Sequence, residues 1–225
     1  MRVTICGVDA EEIVEDQQCI DYVEYRDAEL LVTVGEDALI DCAARADSRP
    51  IVPVGLETPL SPSRRQVTEI LHQLSAQPPT VDVRPLSVTT GGTVSKAVFD
   101  TTLVTTEPAR ISEYAVSVDG RAHATFRADG VVVATPLGSS GYGRAAGGPV
   151  LAPETGLAVV PVAPFATIAD TWVVEPPLSV RVKRDDSVTV LADANQLAVG
   201  HAGLTAEIEW GEPLSIVDIR RLDLP

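Results

Sequence analysis

Hydrophobic positions in the first eighty residues form short continuous runs that alternate with helical spacings. Residues 2–6, 29–34 and 50–54 are predicted to form strands. The run at 29–34 is continuously apolar, which is typical of a strand covered on both faces. Apolar residues three and four apart predict helices over 38–46 and 63–74, and the acidic stretch 11–18 could form a short helix. The alternation of strands and helices predicts a small α/β layer on a parallel sheet.

After residue 80 the pattern changes to short β-type runs separated by turn signals. Residues alternate between apolar and polar in 115–118 and 179–182, and Asp119-Gly120 and Asp129-Gly130 are dipeptides typical of hairpins. The expected strands are 80–90, 97–106, 114–118, 123–128, 131–135, 156–162, 178–182, 187–192, 204–210 and 216–219. This part is predicted to be a β domain of two packed sheets. The boundary is expected at Gln77-Pro78-Pro79, which gives domains 1–78 and 79–225.

The composition and the net charge limit the kinds of binding partner that we expect. The 225 residues suffice for one large or two small domains, and with 4% aromatic residues the core must be filled by Val, Ala and Leu. The net charge is −15, and the only lysines are Lys96 and Lys183. Binding to nucleic acid or to an anionic membrane requires a basic face, so neither is expected. Diffuse acidity with few lysines is typical of a halophile's protein; an ordinary acidic cytosolic protein is the alternative.

The sequence also indicates a compartment. Cys6, Cys19 and Cys42 are odd in number and lack a CxxC spacing, so we expect reduced, buried thiols. The start of the chain does not resemble a signal peptide, and no apolar run has the length of a membrane span. These features favour the cytoplasm. None of the histidines has a Cys or His partner at ligand spacing, so we identify no metal-ligating residues.

The stretch 128–153 combines a buried strand with a run of small residues. Residues 131–133 are valines, and they lead into Thr135-Pro136, a Gly/Ser run at 138–141 and Tyr142, with Gly147 and Gly148 beyond. Small residues let a ligand approach the backbone, and Ser hydroxyls with free N–H groups at a turn can hold its polar atoms. Tyr142 offers a flat face for a ring. A tight turn between a strand and a short helix is the alternative.

These residues resemble the NAD kinase family. Its members carry a strand, an Asp-Gly pair, a Thr-Pro-x-Gly-Ser-Thr-Ala-Tyr segment and a Gly-Gly-Pro; here the matches are Asp129-Gly130, residues 135–142 and 147–149. Residues 157–165 look like the family's strand leading to a Pro-His pair, with Phe165 in place of the His. The resemblance is clear over about residues 97–165. It implies an α/β + β fold: a small N-terminal α/β (Rossmann-like) layer followed by a C-terminal β-sandwich domain.

The sequence departs from the family pattern at three further places. The family's Gly-Gly-Asp-Gly loop is matched by residues 35–38, Gly-Glu-Asp-Ala, where we expect Glu36 and Ala38 to restrict the backbone and bring side chains near a phosphate. An Asn-Glu pair is matched by Phe99-Asp100. An Asp-Gly-Gln is matched by residues 193–196, Asp-Ala-Asn-Gln.

The resemblance implies phosphoryl transfer from ATP or polyphosphate to the 2′-hydroxyl of the adenosine ribose of NAD. Asp37 would be the catalytic base, and Mg²⁺ or another divalent cation would bridge the donor phosphates. The residues that would bind the nucleotides are Gly35, Asp100, Asp129, Ser140, Gly141, Tyr142 and Ala145.

Plainer interpretations stay open for two of these residues. Asp37 could be an acid at a helix N-terminus, and Asp129 could be a hairpin residue. A second hypothesis is a catalytically degenerate member that binds NAD or NADP without phosphorylating it. By analogy with the family we expect a homodimer or homotetramer formed through the β domain.

Overall fold

The structure is a computed structural model that describes residues 1–8, 20–74, 77–107, 110–184 and 187–222. The chain divides into two compact units. The first unit contains Met1–Val83 and the residues from Pro213 on, and the second unit contains Arg84–Glu212. The expected division at residue 78/79 differs in two ways: the boundary lies at 83/84, and the last segment returns to the first unit. The possible helix at 11–18 lies outside the described residues.

The first unit is built on a six-stranded sheet in the order β2-β1-β3-β4-β18-β5. Neighbouring strands are parallel except for β18 and β5, which are antiparallel. The strands are β1 (Arg2–Gly7), β2 (Asp21–Tyr22), β3 (Leu30–Val34), β4 (Ile51–Val54), β5 (Thr80–Val83) and β18 (Leu214–Val217). The last segment belongs to this unit because β18 pairs with both β4 and β5, completing the sheet.

Two helices among the described residues of this unit cover the sheet. They are α1 (Glu36–Ala44) and α2 (Val67–Gln73), and a 3₁₀ turn at Arg64–Gln66 leads into α2. The strands β3 and β4 are buried at every position, as their continuous apolar runs predict. One core cluster joins strand residues such as Val32 and Val52 to Val67 and Leu71 of α2. The α/β layer with its parallel sheet is confirmed.

The second unit consists of two antiparallel six-stranded sheets. Their orders are β10-β9-β14-β17-β6-β7 and β13-β12-β11-β8-β15-β16. The first sheet contains β6 (Leu86–Thr90), β7 (Thr93–Ala97), β9 (Ser112–Val118), β10 (Arg121–Ala128), β14 (Leu178–Arg184) and β17 (Thr205–Trp210). The second contains β8 (Asp100–Thr105), β11 (Gly130–Ala134), β12 (Leu157–Val162), β13 (Trp172–Val174), β15 (Val188–Ala192) and β16 (Asn195–Gly200). A short helix, α3 (Tyr142–Ala145), follows β11.

One hydrophobic core joins the two sheets of the second unit. Leu86, Val116 and Ile208 of the first sheet pack in the same cluster as Val131 and Val159 of the second. The core is filled mainly by Val, Leu and Ala side chains, as the low aromatic content predicts. The β-sandwich is therefore confirmed.

The turns correct one expectation. Asp119-Gly120 joins β9 to β10 as a hairpin, and both residues have positive φ, 48° and 71°, as such turns require. Asp129-Gly130 is not a hairpin turn, because β10 and β11 belong to different sheets. The hairpin interpretation of Asp129 is therefore wrong. No helix among the described residues is long and apolar enough to cross a membrane.

Candidate functional site

The Gly/Ser run of the second unit forms a loop between β11 and α3, which we call the serine loop (residues 135–141). Gly138 lies directly against Phe99: a Cβ atom at Gly138 would fall 2.1 Å from the carbonyl oxygen of Phe99. No side chain fits at that distance. The glycine therefore permits a close approach of two backbone segments, which a surface turn does not require.

Two buried hydroxyls fix the serine loop. Thr135 Oγ1 donates to the carbonyl oxygen of Val98 (2.8 Å) and accepts from the Gly138 N–H (3.2 Å). Ser139 Oγ donates to the Pro136 carbonyl oxygen (2.8 Å) and accepts from the Leu151 N–H (2.9 Å). Thr135 and Ser139 are completely buried. Their hydroxyls are used by the protein's own backbone, so neither is available to a ligand.

The predicted ligand-binding positions lie on the outer side of the same loop and helix. Ser140 is half-buried, and Gly141 and Ala145 are exposed. Tyr142 keeps 47% of its surface exposed, so its ring is accessible for stacking. Thr135 and Ser139 thus hold the loop from inside, while Ser140 and Gly141 of the loop and Tyr142 and Ala145 of α3 face outward.

Asp100 lies beside the serine loop. It is the first residue of β8, and it pairs with Ala134, the last residue of β11 before the loop. One of its carboxylate oxygens accepts from Thr102 Oγ1 at 3.1 Å. The structure therefore brings Asp100 close to the start of the segment that carries Ser140 and Tyr142.

Asp129 lies at the opposite end of β11. The five residues of the strand lie between Asp129 and the serine loop, so about 20 Å separates Asp129 from Thr135, the first residue of the loop. Its backbone N–H donates to Val162, and its carbonyl oxygen accepts from Thr105. Within one chain, Asp129 is therefore not grouped with Asp100 and the serine loop.

In the first unit, the segment that matches the family's Gly-Gly-Asp-Gly loop is residues 35–38, which we call the aspartate loop. Gly35 has a φ of 83° and caps α1, and Glu36, Asp37 and Ala38 form the first helical turn. The expected restriction of the backbone by Glu36 and Ala38 causes no strain here, because both residues adopt the helical conformation, which needs no glycine. Glu36 and Asp37 are exposed there, where negative charge is favourable to the helix dipole.

A cavity of about 320 Å³ opens at the aspartate loop. It combines acidic and basic side chains: Glu36, Asp37 and Asp41 share the lining with Arg45 and Arg64. Cys6 and Cys42 also line it. Burial raises the pKa of both thiols, that of Cys42 to about 11, so they are protonated at neutral pH. Cys42 is buried as expected, Cys6 is half-exposed, and Cys19 lies outside the described residues.

A charged cluster stands next to this cavity. The Tyr25 hydroxyl donates to Asp47 at 2.7 Å, and Arg49 pairs with the same carboxylate. The guanidinium groups of Arg45 and Arg49 lie 4.6 and 4.5 Å from the centre of the Tyr25 ring. Hydrogen bonds from Arg49 hold the pKa of Asp47 well below its usual range, and burial raises the pKa of Tyr25 to about 12. Arg45 therefore connects this cluster to the cavity lining.

The chain is similar to known proteins in sequence and in fold. Residues 100–205 match the family model described as the ATP-NAD kinase C-terminal domain. A curated NAD kinase from Methanopyrus kandleri is 31% identical over 172 residues, which cover 72% of this chain and 62% of that protein. The chain is therefore similar to NAD kinases in sequence.

Other NAD kinases give similar values. One from Methanocorpusculum labreanum is 27% identical over 204 residues, covering 86% of this chain and 75% of its own. The fold also matches solved structures. An NAD kinase from Archaeoglobus fulgidus in complex with ATP aligns with a TM-score of 0.76 at 22% identity, over 96% of this chain and 93% of that one. Yeast NADH kinase complexed with NADH aligns with a TM-score of 0.74 at 17% identity, over 96% and 83%.

The chain matches only part of the length of several relatives, and the family model matches only part of the chain. The chain spans less than two thirds of the Methanopyrus kandleri NAD kinase, and of the one from Methanosarcina acetivorans, of which it covers 60%. The family model ends before β18, and it begins at Asp100, so the aspartate loop lies outside it. The NAD kinase match is therefore strongest for the serine loop.

Sequence reasoning missed three residues that shape the NAD kinase-like site. Thr135 and Ser139 appeared only as part of a small-residue run, and Asp193 only as part of a family-like motif. Asp193 accepts hydrogen bonds from the backbone of residues 98–100, directly beside the serine loop. Asp193 lies two residues before Asn195, where two β-type runs meet, and this pattern predicts a tight turn. The pattern does not predict which segment the turn contacts.

Proposed function

We propose that the protein phosphorylates the 2′-hydroxyl of the adenosine ribose of NAD, with ATP or polyphosphate as the donor. One observation carries the proposal. The serine loop has the spacing of the NAD kinase motif, and its inner residues are used for folding while Ser140, Gly141, Tyr142 and Ala145 are presented beside Asp100. A loop that served only as a turn would not need this division of roles.

The nucleotide would be held by groups of different chemistry. Tyr142 offers its exposed ring for stacking, and Ser140 and the Asp100 carboxylate offer hydrogen bonds. Gly141 and Ala145 have little or no side chain and let the ligand approach the backbone. In the proposed homodimer or homotetramer, a second copy would supply Asp129, since in its own chain Asp129 lies about 20 Å from the loop.

The aspartate loop would perform the transfer. We propose that Asp37 accepts the proton of the ribose hydroxyl as that oxygen attacks the terminal phosphorus of the donor. The bond from this phosphorus to the bridging oxygen breaks, and ADP or the shortened polyphosphate leaves with the electron pair. Arg45 and Arg64 line the same cavity and would balance the phosphate charge. Gly35 would let phosphate groups approach the start of α1.

The carboxylates suit a magnesium ion carried by the donor. Among the described residues, no three His, Cys, Asp or Glu side chains converge on a metal position. Mg²⁺ in kinases is nevertheless held by one or two carboxylates together with substrate phosphates, and Asp37 and Glu36 offer such oxygens in the cavity. When bound, the ion would offset the negative charge of the donor phosphates.

A catalytically degenerate nucleotide-binding protein is the second candidate. Glu36 adds a negative side chain to a cavity that phosphates would enter. Phe99, in place of the family's Asn, is only 8% exposed and offers a ligand no polar side chain. Both observations favour binding without transfer.

A paired assay of turnover and binding tests the two functions. The wild-type protein and Asp37→Asn are assayed for NADP formation from NAD, Mg²⁺ and either ATP or polyphosphate, and NAD binding is measured by calorimetry. We expect wild-type turnover that falls by about 10² to 10⁴-fold in the variant, with unchanged NAD affinity. Binding without turnover in the wild type, beside an active NAD kinase control, would support the degenerate candidate. No binding of NAD or NADP would overturn both.

The assay solution follows from the charge. The net charge of −15 favours a protein adapted to high salt, because molar salt screens self-repulsion to within about 3 Å. We therefore propose a haloarchaeal, cytoplasmic protein and expect greater turnover in molar KCl than in dilute buffer. Equal or lower turnover in molar KCl would contradict the halophile.

A further inference from the structure

Asp193 makes an unusual set of contacts in the second unit. It lies in the turn between β15 and β16, and its carboxylate accepts three backbone hydrogen bonds. The donors are the N–H groups of Val98 (2.5 Å), Phe99 (2.7 Å) and Asp100 (3.2 Å). Its own N–H donates to the carbonyl oxygen of Asp100 at 3.0 Å. A single side chain thus fixes the backbone that leads into β8.

The segment fixed by Asp193 in turn supports the serine loop. The Val98 carbonyl accepts from Thr135 Oγ1, and the Phe99 carbonyl accepts from the Thr135 N–H at 2.8 Å. The same Phe99 carbonyl is the atom against which Gly138 packs. A shift of residues 98–100 would therefore displace both the Asp100 side chain and the inner face of the loop.

We propose that Asp193 is the positioning residue of the nucleotide site. Its carboxylate holds residues 98–100, and these hold Asp100 and the serine loop in one fixed arrangement. Asp193 acts through Asp100 and Thr135 and need not touch the nucleotide. The inference rests on the proposed nucleotide binding of this loop.

A carboxylate is required at this position for a chemical reason. Two acceptor oxygens serve three N–H donors, and a charged acceptor makes stronger bonds than a neutral one. An asparagine can accept from Phe99 and Asp100 through its one oxygen, but its NH₂ group would then face the Val98 N–H. Asn tolerates the left-handed backbone that Asp193 adopts, with a φ of 47°, so the turn itself is kept.

The test compares Asp193→Asn with Asp119→Asn. Asp119 is the matched control, because it occupies the same kind of turn, with a φ of 48°, and its side chain is exposed. The first measurement is hydrogen exchange without nucleotide. We expect the amides of residues 98–100 to exchange at least about tenfold faster in Asp193→Asn only. Unchanged exchange would overturn the proposed hold on the segment.

The second measurement is NAD affinity by calorimetry. We expect Asp193→Asn to bind NAD about tenfold more weakly and Asp119→Asn to bind as the wild type does. The effect of Asp193→Asn should be smaller in an Asp100→Asn background, a coupling that a general loss of stability would not produce. Wild-type binding with unaltered affinity in Asp193→Asn would overturn the positioning role alone. No binding by the wild type would overturn the proposed function, and the nucleotide role of Asp193 with it.

A second variant covers the case in which Asp193→Asn does not fold. Asp193→Glu keeps both oxygens and the charge but moves them by one methylene group. We expect hydrogen exchange at 98–100 and NAD affinity to change in the same direction and by a smaller factor. A folded Asp193→Glu protein that matches the wild type in both measurements would contradict the required geometry.

Discussion

The serine loop of the second unit and the aspartate loop of the first are held in different ways. The serine loop is fixed by a close backbone contact at Gly138 and by the buried hydroxyls of Thr135 and Ser139. The aspartate loop is the first turn of a helix, and among its residues only Gly35 has a positive φ. Charged side chains surround it. Shape constrains the first loop, and helix geometry and charge constrain the second.

This difference explains why the aspartate loop can depart from the family motif. A larger residue at Gly138 would meet the Phe99 carbonyl, so that position accepts no side chain. Glu36 and Ala38 meet no such obstacle, since both have helical backbones. The aspartate loop can therefore change composition without strain. Its departures weaken the case for catalysis by their charge, and not by their effect on the backbone.

The strongest challenge to this comparison is a methyl group at Gly138. We expect Gly138→Ala to destabilise the second unit by about 3 kcal/mol or more, because the new Cβ would lie 2.1 Å from the Phe99 carbonyl oxygen. Both tryptophans lie in the second unit, so a denaturant titration followed by their fluorescence reports on that unit.

Gly147→Ala is the control for that variant. Gly147 has a φ of 98°, and no atom lies within 4 Å of the position that a methyl group would take there, so only backbone strain of about 1 kcal/mol is expected. Equal losses in the two variants would show that conformational freedom, and not the close contact, accounts for the glycine in the serine loop.

The charged support of the aspartate loop is tested by Asp47→Asn. The pKa of Asp47 is lowered in the folded state, so its stabilising contribution is present above about pH 4 and is lost as the pH falls further. We expect the variant to be less stable by about 2 kcal/mol at pH 7, a difference that shrinks below about pH 4. Thermal unfolding followed by circular dichroism across this range measures it.

Asp27→Asn is the matched control. Asp27 pairs with Arg26 at 3.5 Å on the exposed surface, and such pairs contribute about 1 kcal/mol or less. A loss from Asp47→Asn that is the same at pH 7 and pH 3 would contradict the charge-based support of this unit.

The fold followed from the sequence to the extent that its pattern was local. Continuous apolar runs located β3 and β4, and alternation located β9 and β14. The strands β13 and β16 were missed because their residues are half-buried or exposed and give no clear alternation. The return of β18 to the first unit was missed because strand pairing across the chain has no local signal.

The site was predicted in the same uneven way. Ser140, Gly141 and Tyr142 were found through the family motif, which the serine loop retains. The distinct roles of Ser139 and Ser140 were not, because two adjacent serines look alike until the chain that packs around them is known. The separation of Asp129 from the loop follows from the strand between them, which the valine run already predicts, although the family motif groups residues from both of its ends.

Those two serines sharpen the comparison within the serine loop. We expect Ser139→Ala to lower the stability of the second unit by about 1.5 kcal/mol, because the half-buried Leu151 N–H loses its acceptor and the Pro136 carbonyl oxygen its donor. Ser140→Ala should leave stability nearly unchanged and weaken NAD binding instead. Tryptophan fluorescence during unfolding and calorimetry with NAD separate the two effects. A reversed pattern would show that the loop presents Ser139, not Ser140, to the ligand.

The smallest expected effect asks whether backbone strain, and not shape or charge, distinguishes the two regions. Ala194 follows Asp193 in the turn that supports the serine loop, with a φ of 64°, and Ala46 follows α1 in the first unit, with a φ of 52°. An alanine in the left-handed region costs about 1 kcal/mol of folding free energy, and glycine removes this cost. The greater freedom of glycine in the unfolded chain offsets part of the gain. We expect Ala194→Gly and Ala46→Gly each to stabilise its own unit by about 0.5 kcal/mol. Tryptophan fluorescence should detect the first change, and hydrogen exchange in β3 the second. Similar gains would mean that both regions carry equal strain, so that the two loops differ in their contacts and charge alone. A gain confined to Ala194→Gly would show that backbone strain also distinguishes the turn that supports the serine loop.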